Sequence, residues 1–205
     1  MMFLVIAVIA IGVIAYSLVR VYKLTNHIEP SGTMPEDEQS AVIRYREGIT
    51  TLIRLKSKEK PSCQKPSSAK CVIIAFIQTA QKIVRISDSD PDPEIYNDED
   101  LIIEASLFLR RGGRIQYLHG DKRTKLQDLL ENLEKEGLLQ AQSRKLTKDY
   151  NGAFTTVDEN GFRLSHKKGG IFCANDHGKT IQLNKVFEAE WVKAKELCSG
   201  NILEI

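Results

Sequence analysis

Gly152 to Trp191 reads GAFTTVDENGFRLSHKKGGIFCANDHGKTIQLNKVFEAEW. Three short apolar alternations open it: Ala153–Asp158, Phe162–His166 and Ile171–Ala174. The first two flank Glu159-Asn160-Gly161, and Asn-Gly between alternating segments is a strong hairpin signal. The third ends in Asn175-Asp176, after which Leu183, Val186, Phe187, Trp191 and Ala194 recur at helical spacing. The stretch therefore predicts hairpin, strand and helix, with the only tryptophan in the core.

Upstream, the elements alternate. Helices are predicted over 37–56, with Val42, Tyr45, Ile49, Leu52 and Ile53 on one face, and from Ala69 to about Gln81. The second is ambiguous, because Cys71 to Ile77 is an unbroken apolar run that a buried strand would also show. A strand follows over 83–87. Asn97 is the expected N-cap of a helix to Arg111, with Leu101, Ile102, Ala105, Phe108 and Leu109 inward. Arg114–Leu118 is a strand, Asp121–Glu136 a helix burying Leu126, Leu129, Leu130 and Leu133, and Leu138–Leu146 a strand. Alternation of this kind predicts an α/β fold, a mixed sheet flanked by helices.

The amino-terminal end has a different character. Met1–Val19 carries no charged side chain and would span roughly 28 Å as a helix, close to the hydrocarbon thickness of a bilayer. It lacks a basic leader and a small-x-small cleavage site, so a retained transmembrane helix is expected. Arg20 and Lys23 follow it, which places the rest of the chain in the cytoplasm. The expected organisation is an anchor over 1–24, a polar tether over 25–37 and one α/β domain over 38–205: a single-pass membrane protein.

The 205 residues carry a net charge of +2 with 27% charged side chains, a balance that predicts no general attraction to nucleic acid. Among the four cysteines there is no C-x-x-C pair and no Cys/His ligand spacing, so no metal is expected. A Cys63–Cys71 disulfide would need an oxidising compartment. There is no P-loop, no G-x-G-x-x-G and no G-x-S-x-G, and no cofactor is predicted. Arg111-Gly112-Gly113-Arg114 is a helix-to-strand turn whose glycines serve the backbone.

From about Ala69 to Leu197 the element order resembles one half of the phospholipase D superfamily. In that family a strand carries H-x-K-x4-D, and a later strand ends in a G-S-x-N turn before a helix. Here Gly152–Asp158 stands for the first motif, with Gly152 taken at the histidine, Phe154 at the lysine and Asp158 as its remnant. Phe172-Cys173-Ala174-Asn175 stands for the second, and only Asn175 matches. The resemblance implies a histidine nucleophile at a phosphodiester phosphorus, lysines and asparagines on the phosphoryl oxygens, and pairing of single-motif chains as dimers. Without the histidine and lysine, no catalytic residue is predicted on this strand.

His177-Gly178-Lys179 at the start of the last helix resembles H-x-K, but i and i+2 on a helix point about 200° apart. Asn175, His177 and Lys179 are instead candidates for anion binding at a helix N-terminus. His166-Lys167-Lys168 reads as a solvated turn. The expected function is a membrane-anchored, non-catalytic binding or sensing module with a phosphate-containing ligand, pairing as a homodimer near Asp158, Asn175 and His177. The alternatives are a membrane-anchored phosphodiesterase, nuclease or phospholipase, with a rearranged site, and a structural subunit of a membrane assembly.

Overall fold

Three parallel strands and a three-strand meander meet side by side in one sheet. In the computed structural model, residues 38–63, 65–146, 152–166 and 169–200 are described. The expected anchor and tether lie outside them. Among the described residues no helix is long and apolar enough to cross a membrane. The elements are α1 (Glu38–Arg54), α2 (Pro66–Thr79), β1 (Ile83–Asp88), α3 (Pro93–Tyr96), α4 (Glu99–Arg110), β2 (Arg114–His119), α5 (Lys125–Lys135), β3 (Ala141–Lys145), β4 (Ala153–Val157), β5 (Gly161–His166), β6 (Gly169–Cys173) and α6 (His177–Gly200).

The strand order is β3-β2-β1-β4-β5-β6. β1, β2 and β3 are parallel, and β4 runs antiparallel to β1, β5 to β4 and β6 to β5. Parallel neighbours need crossovers, and the helices between β1, β2 and β3 supply them. Val84 and Ile86 of β1, Ile115 and Tyr117 of β2, Ala141, Val157 and Phe172 face a core shared with α1 to α5. Leu118, Phe154, Phe162 and Cys173 face the other way, onto Leu183, Phe187, Trp191 and Ala194 of α6. Pro61 to Cys63 runs along β6, with Phe172 N–H on Pro61 O and Cys63 N–H on Gly170 O.

The ambiguous run Cys71–Ile77 is a helix because α2 is wrapped on every side. The sheet lies beneath it and α1 and α4 flank it, so Cys71–Ile77 are at most 1% exposed all round. Asp98, not Asn97, caps α4: its carboxylate accepts from Leu101 N–H at 3.1 Å and from Lys70 Nζ at 2.7 Å. Asn97 instead accepts from Lys125 N–H at 2.7 Å, fastening the start of α5. That helix begins at Lys125 rather than Asp121, capped by Thr124, whose hydroxyl takes Gln127 N–H. Val186, expected inside, is 44% exposed, because the buried stripe of α6 passes through Leu183, Phe187, Trp191 and Ala194. Gly112 turns the chain into β2 with φ +89°, a conformation that needs no Cβ. Cys63, Cys71 and Cys173 are buried free thiols.

Candidate functional site

The two ends of β4 carry different chemistry. At its carboxyl end Asp158 turns the chain with φ +50°. Its carboxylate accepts three successive backbone N–H groups that lead into β1: Gln81 at 3.0 Å, Lys82 at 2.9 Å and Ile83 at 2.9 Å. Its own N–H returns to Ile83 O. These contacts tie β4 to β1, and Asp158 O also accepts from Asn184 Nδ2 of α6 at 3.3 Å, so Asp158 is a structural clasp.

Asn175, Asp176, His177 and Lys179 lie at this same end, with Asp176 N–H donating to Asn160 O at 2.8 Å. Asp176 caps α6 through Lys179 N–H at 3.0 Å and sits 3.4 Å from Lys60 Nζ. The Lys179 N–H holds the Asp176 carboxyl below its usual range. His177 donates from Nδ1 to Glu159 O at 2.9 Å. An anion at this turn therefore meets a carboxylate already in place. His177 and Lys179 diverge around the helix start and are not brought together.

The other end holds a polar patch that reading the chain in one dimension missed. Register places Ser143, Tyr117, Ile86, Thr155 and Arg163 side by side on one face, and Lys145, His119, Asp88, Ala153 and Ser165 in the next row toward the sheet's end. These are the carboxyl ends of the parallel strands, where open α/β sheets commonly bind ligands. Asp88 is 8% exposed and accepts from Tyr96 O–H at 3.0 Å and Asp90 N–H at 3.1 Å. Burial pushes its carboxyl pKa up, and pushes the Tyr96 and Tyr117 phenols and the Cys63 thiol up as well. Tyr96 stacks on Tyr117 with centroids 5.4 Å apart.

Arg163 is 4% exposed, and its guanidinium donates to Ser165 Oγ at 3.3 Å. Among the described residues no carboxylate forms an ion pair with it, although its charge is felt at Asp88 and Tyr96. Among the described residues its Nε, the Thr155 and Ser143 hydroxyls and the Tyr117 O–H, which has the Thr124 side chain beside it, are buried without a hydrogen-bond partner of good geometry. Four such atoms in one row are notable, because a buried polar group left unpaired costs about 1–3 kcal/mol.

His119 donates from Nδ1 to Gly120 O at 2.8 Å, which leaves Nε2 as the lone-pair nitrogen. Burial lowers its pKa. The unfolded chain therefore takes up this proton first as pH falls, so stability is full above about pH 6.5 and is lost below it. His119→Gln is expected to flatten the stability profile between pH 7 and 5, by up to about 1.4 kcal/mol per pH unit. Urea titrations of both proteins across that range check it.

No protein-family model and no curated protein matches the chain. Solved structures do. Nuc from Salmonella typhimurium, a phospholipase D family member, superposes with a TM-score of 0.50 at 11% identity, over 65% of this chain and 93% of that one. The fold is phospholipase D-like. NucT from Helicobacter pylori matches at 0.47 and 12% identity over 66% and 95% of the two chains. TrmBL2, an archaeal chromatin protein described as having a novel mode of DNA binding, matches at 0.47 and 16% identity. That match covers 75% of this chain and 59% of TrmBL2.

By count alone, the expected motif positions move by one residue. H-x-K-x4-D counted back from Asp158 puts the lysine position at Ala153 and the histidine position at Asn151, not at Phe154 and Gly152. Phe154 packs against Phe187, with centroids 6.5 Å apart, whereas Ala153 lies between Asp88 and Ser165 on the patch face. Asn151 is outside the described residues. Asn175 is at the far end of β4, about 13 Å away by strand length, so it does not join Ala153.

Proposed function

We propose that the chain is a membrane-anchored, non-catalytic binding module built on the phospholipase D-like fold, with its ligand site at the carboxyl ends of β1, β2 and β3. The observation that carries this is the fate of the motif. The aspartate that clasps β4 to β1 is present, while the lysine position is Ala153 and the histidine position is Asn151. What the fold needs is kept and what the chemistry needs is missing. The apolar stretch Met1–Val19 supports the anchor, and Arg20 and Lys23 support a cytoplasmic domain. A reporter fused after Ile205 that works only in the cytoplasm is expected to be active; activity of an exported-only reporter reverses the orientation.

The full chain in detergent is expected to show no hydrolysis of bis-p-nitrophenyl phosphate, nucleic acid or phospholipid. Its mass in the same detergent reads out pairing, with a dimer expected. A pairing that joins two half-sites would run through the Ala153 end of the sheet rather than through Asn175 and His177. One observation favours a second reading, a phosphodiesterase with a moved site. His119 and Lys145 are cross-strand neighbours on the patch face. Lys145 is paired with Asp121 at 2.7 Å, which holds its charge away from a substrate. Turnover abolished by His119→Ala, with folding intact, would establish the enzyme.

A further inference from the structure

We propose that the amino ends of β1 and β2, with the turn that follows α1, form a basic face that seats on an anionic lipid bilayer. This rests on the membrane-anchored reading and adds which way the domain stands on that membrane. The face is at the Asp158 end of the sheet, opposite the polar patch. The Asp158 carboxylate fixes Gln81, Lys82 and Ile83 there. Ile83 pairs with Arg114, whose N–H donates to Lys82 O. Arg111 donates to Ile77 O and Gln78 O, which brings the end of α4, with Arg110, to the same level. On the β6 side Cys173 Sγ donates to Ser57 O at 4.0 Å, and Lys60 Nζ is 3.4 Å from Asp176, so the turn after α1 lies at that level too.

Arg54, Lys56, Lys58, Lys82, Arg110 and Arg114 are exposed, and among the described residues no carboxylate forms an ion pair with any of them. Asp158 and Asp176 are engaged by backbone N–H groups and Lys60, which leaves Glu59, Glu136 and Glu159 as the exposed carboxylates of these loops. Lys56 adds a second sign. Its N–H donates to Ile53 O and Ser57 N–H donates to Leu52 O, both at 3.0 Å, the helix-ending turn whose left-handed residue is usually glycine. Here that residue is Lys56, with φ +51°. A cation stands where the backbone prefers no side chain.

Two leucines frame the cations. Leu55 is 55% exposed beside Lys56, and Leu139, in the turn before β3, is 70% exposed. β3 and β6 are the outer strands, so the two leucines stand roughly 24 Å apart, about five strand spacings. Apolar tips at both sides of a cationic end suit a bilayer, where cations meet lipid headgroups and leucines enter the acyl boundary. A nucleic-acid backbone offers such leucines no apolar layer. The chain can reach this pose. α1 runs from the far end toward this one, since Cys71 Sγ, near the start of α2, donates to Val42 O, while Ser57 is at the Cys173 end. Its seventeen residues span about 25 Å. Residues 20–37, if extended, would reach about 60 Å. Seated this way, the domain turns the polar patch away from the bilayer, toward a soluble ligand.

The test follows amide hydrogen exchange of the full chain in nanodiscs of phosphatidylcholine, alone or mixed with phosphatidylserine. Phosphatidylserine is expected to slow exchange several-fold in 55–61, 80–82, 111–113 and 136–140, and to leave 119–123, at the other end, unchanged. Salt at about 1 M, where the Debye length is about 3 Å, should remove the effect. Arg114→Glu should weaken the contact at least fivefold, since each cation near an anionic surface contributes roughly that factor. Lys56→Gly relieves the left-handed backbone, so it should melt no lower than wild type while losing roughly fivefold in lipid contact. Leu55→Gln combined with Leu139→Gln should weaken the contact with the salt dependence kept. Equal exchange in both kinds of disc overturns the proposal, as does protection that Lys56→Gly and Arg114→Glu leave intact. Protection confined to 119–123 seats the opposite end on the bilayer and overturns it. Protection by duplex DNA or RNA, and not by phosphatidylserine, assigns the face to nucleic acid and overturns it as well. A chain that alkaline carbonate extracts from membranes defeats the anchored reading alone. Flotation of that chain with phosphatidylserine vesicles, lost at high salt, would leave the basic face standing, and failure to float would remove both.

Discussion

Trp191→Ala is expected to cost about 3–5 kcal/mol, the usual range for deleting a buried indole. Trp191 is 9% exposed, stacks on Phe187 with centroids 5.5 Å apart, and has the Arg144 guanidinium 5.6 Å from its ring centroid. The loss should be large because α6 is the helix that covers the second face of the sheet. Its buried cluster is small, so an emptied tryptophan site has few neighbours that can close over it. Arg144 also holds Glu134 at 2.6 Å, so the same substitution removes the surface on which the Arg144–Glu134 pair rests. Urea denaturation of the full chain measures the cost. A loss below about 1 kcal/mol would mean that α6 is not docked through this residue.

Asp158→Ala should be comparably damaging, at about 3–5 kcal/mol. Three backbone N–H groups lose a charged acceptor; bonds to charged groups are worth a net of about 1.5–3 kcal/mol each when buried, and less here because two of the three are exposed. The new residue must also adopt φ +50°, where a Cβ is disfavoured. Asp158→Asn keeps one acceptor oxygen and tolerates the left-handed backbone, so it should cost about half as much. Asp158→Gly relieves the backbone but not the three donors, and should fall near the alanine variant. If the asparagine and alanine variants were equally stable, the clasp would not be what this residue supplies.

Helix faces were legible because the 3.6-residue period is written directly in side-chain polarity. Tyr45, Ile49 and Leu52 in α1, and Leu126 and Leu130 in α5, are buried as the spacing predicts. The hairpin was legible because Asn160-Gly161 constrains the chain locally. The identity of the α4 cap was not, since Asn97 and Asp98 are equally good caps and a tertiary contact to Lys125 decided between them. The site was the least legible. His119, Asp88 and Arg163 each end or interrupt an apolar strand and look like ordinary solvated positions one strand at a time. Only the order β2-β1-β4-β5 brings them to one face, and no local pattern encodes that order. His177-Gly178-Lys179 had the opposite fault: its spacing resembles a motif, but a helix separates residues that a strand would align.

The run of Pro61 to Cys63 along β6 bears on solubility as well as on the site. A six-stranded sheet has two rims at which a neighbouring molecule could add its own strand. One rim is occupied by the chain itself, through Phe172 N–H to Pro61 O and Cys63 N–H to Gly170 O. The other is β3, five residues long, whose last two are Arg144 and Lys145. Short, cationic edges of this kind resist the strand-to-strand addition that leads to aggregates. For a domain proposed to be concentrated beneath a bilayer, that protection keeps contacts between copies to its side chains.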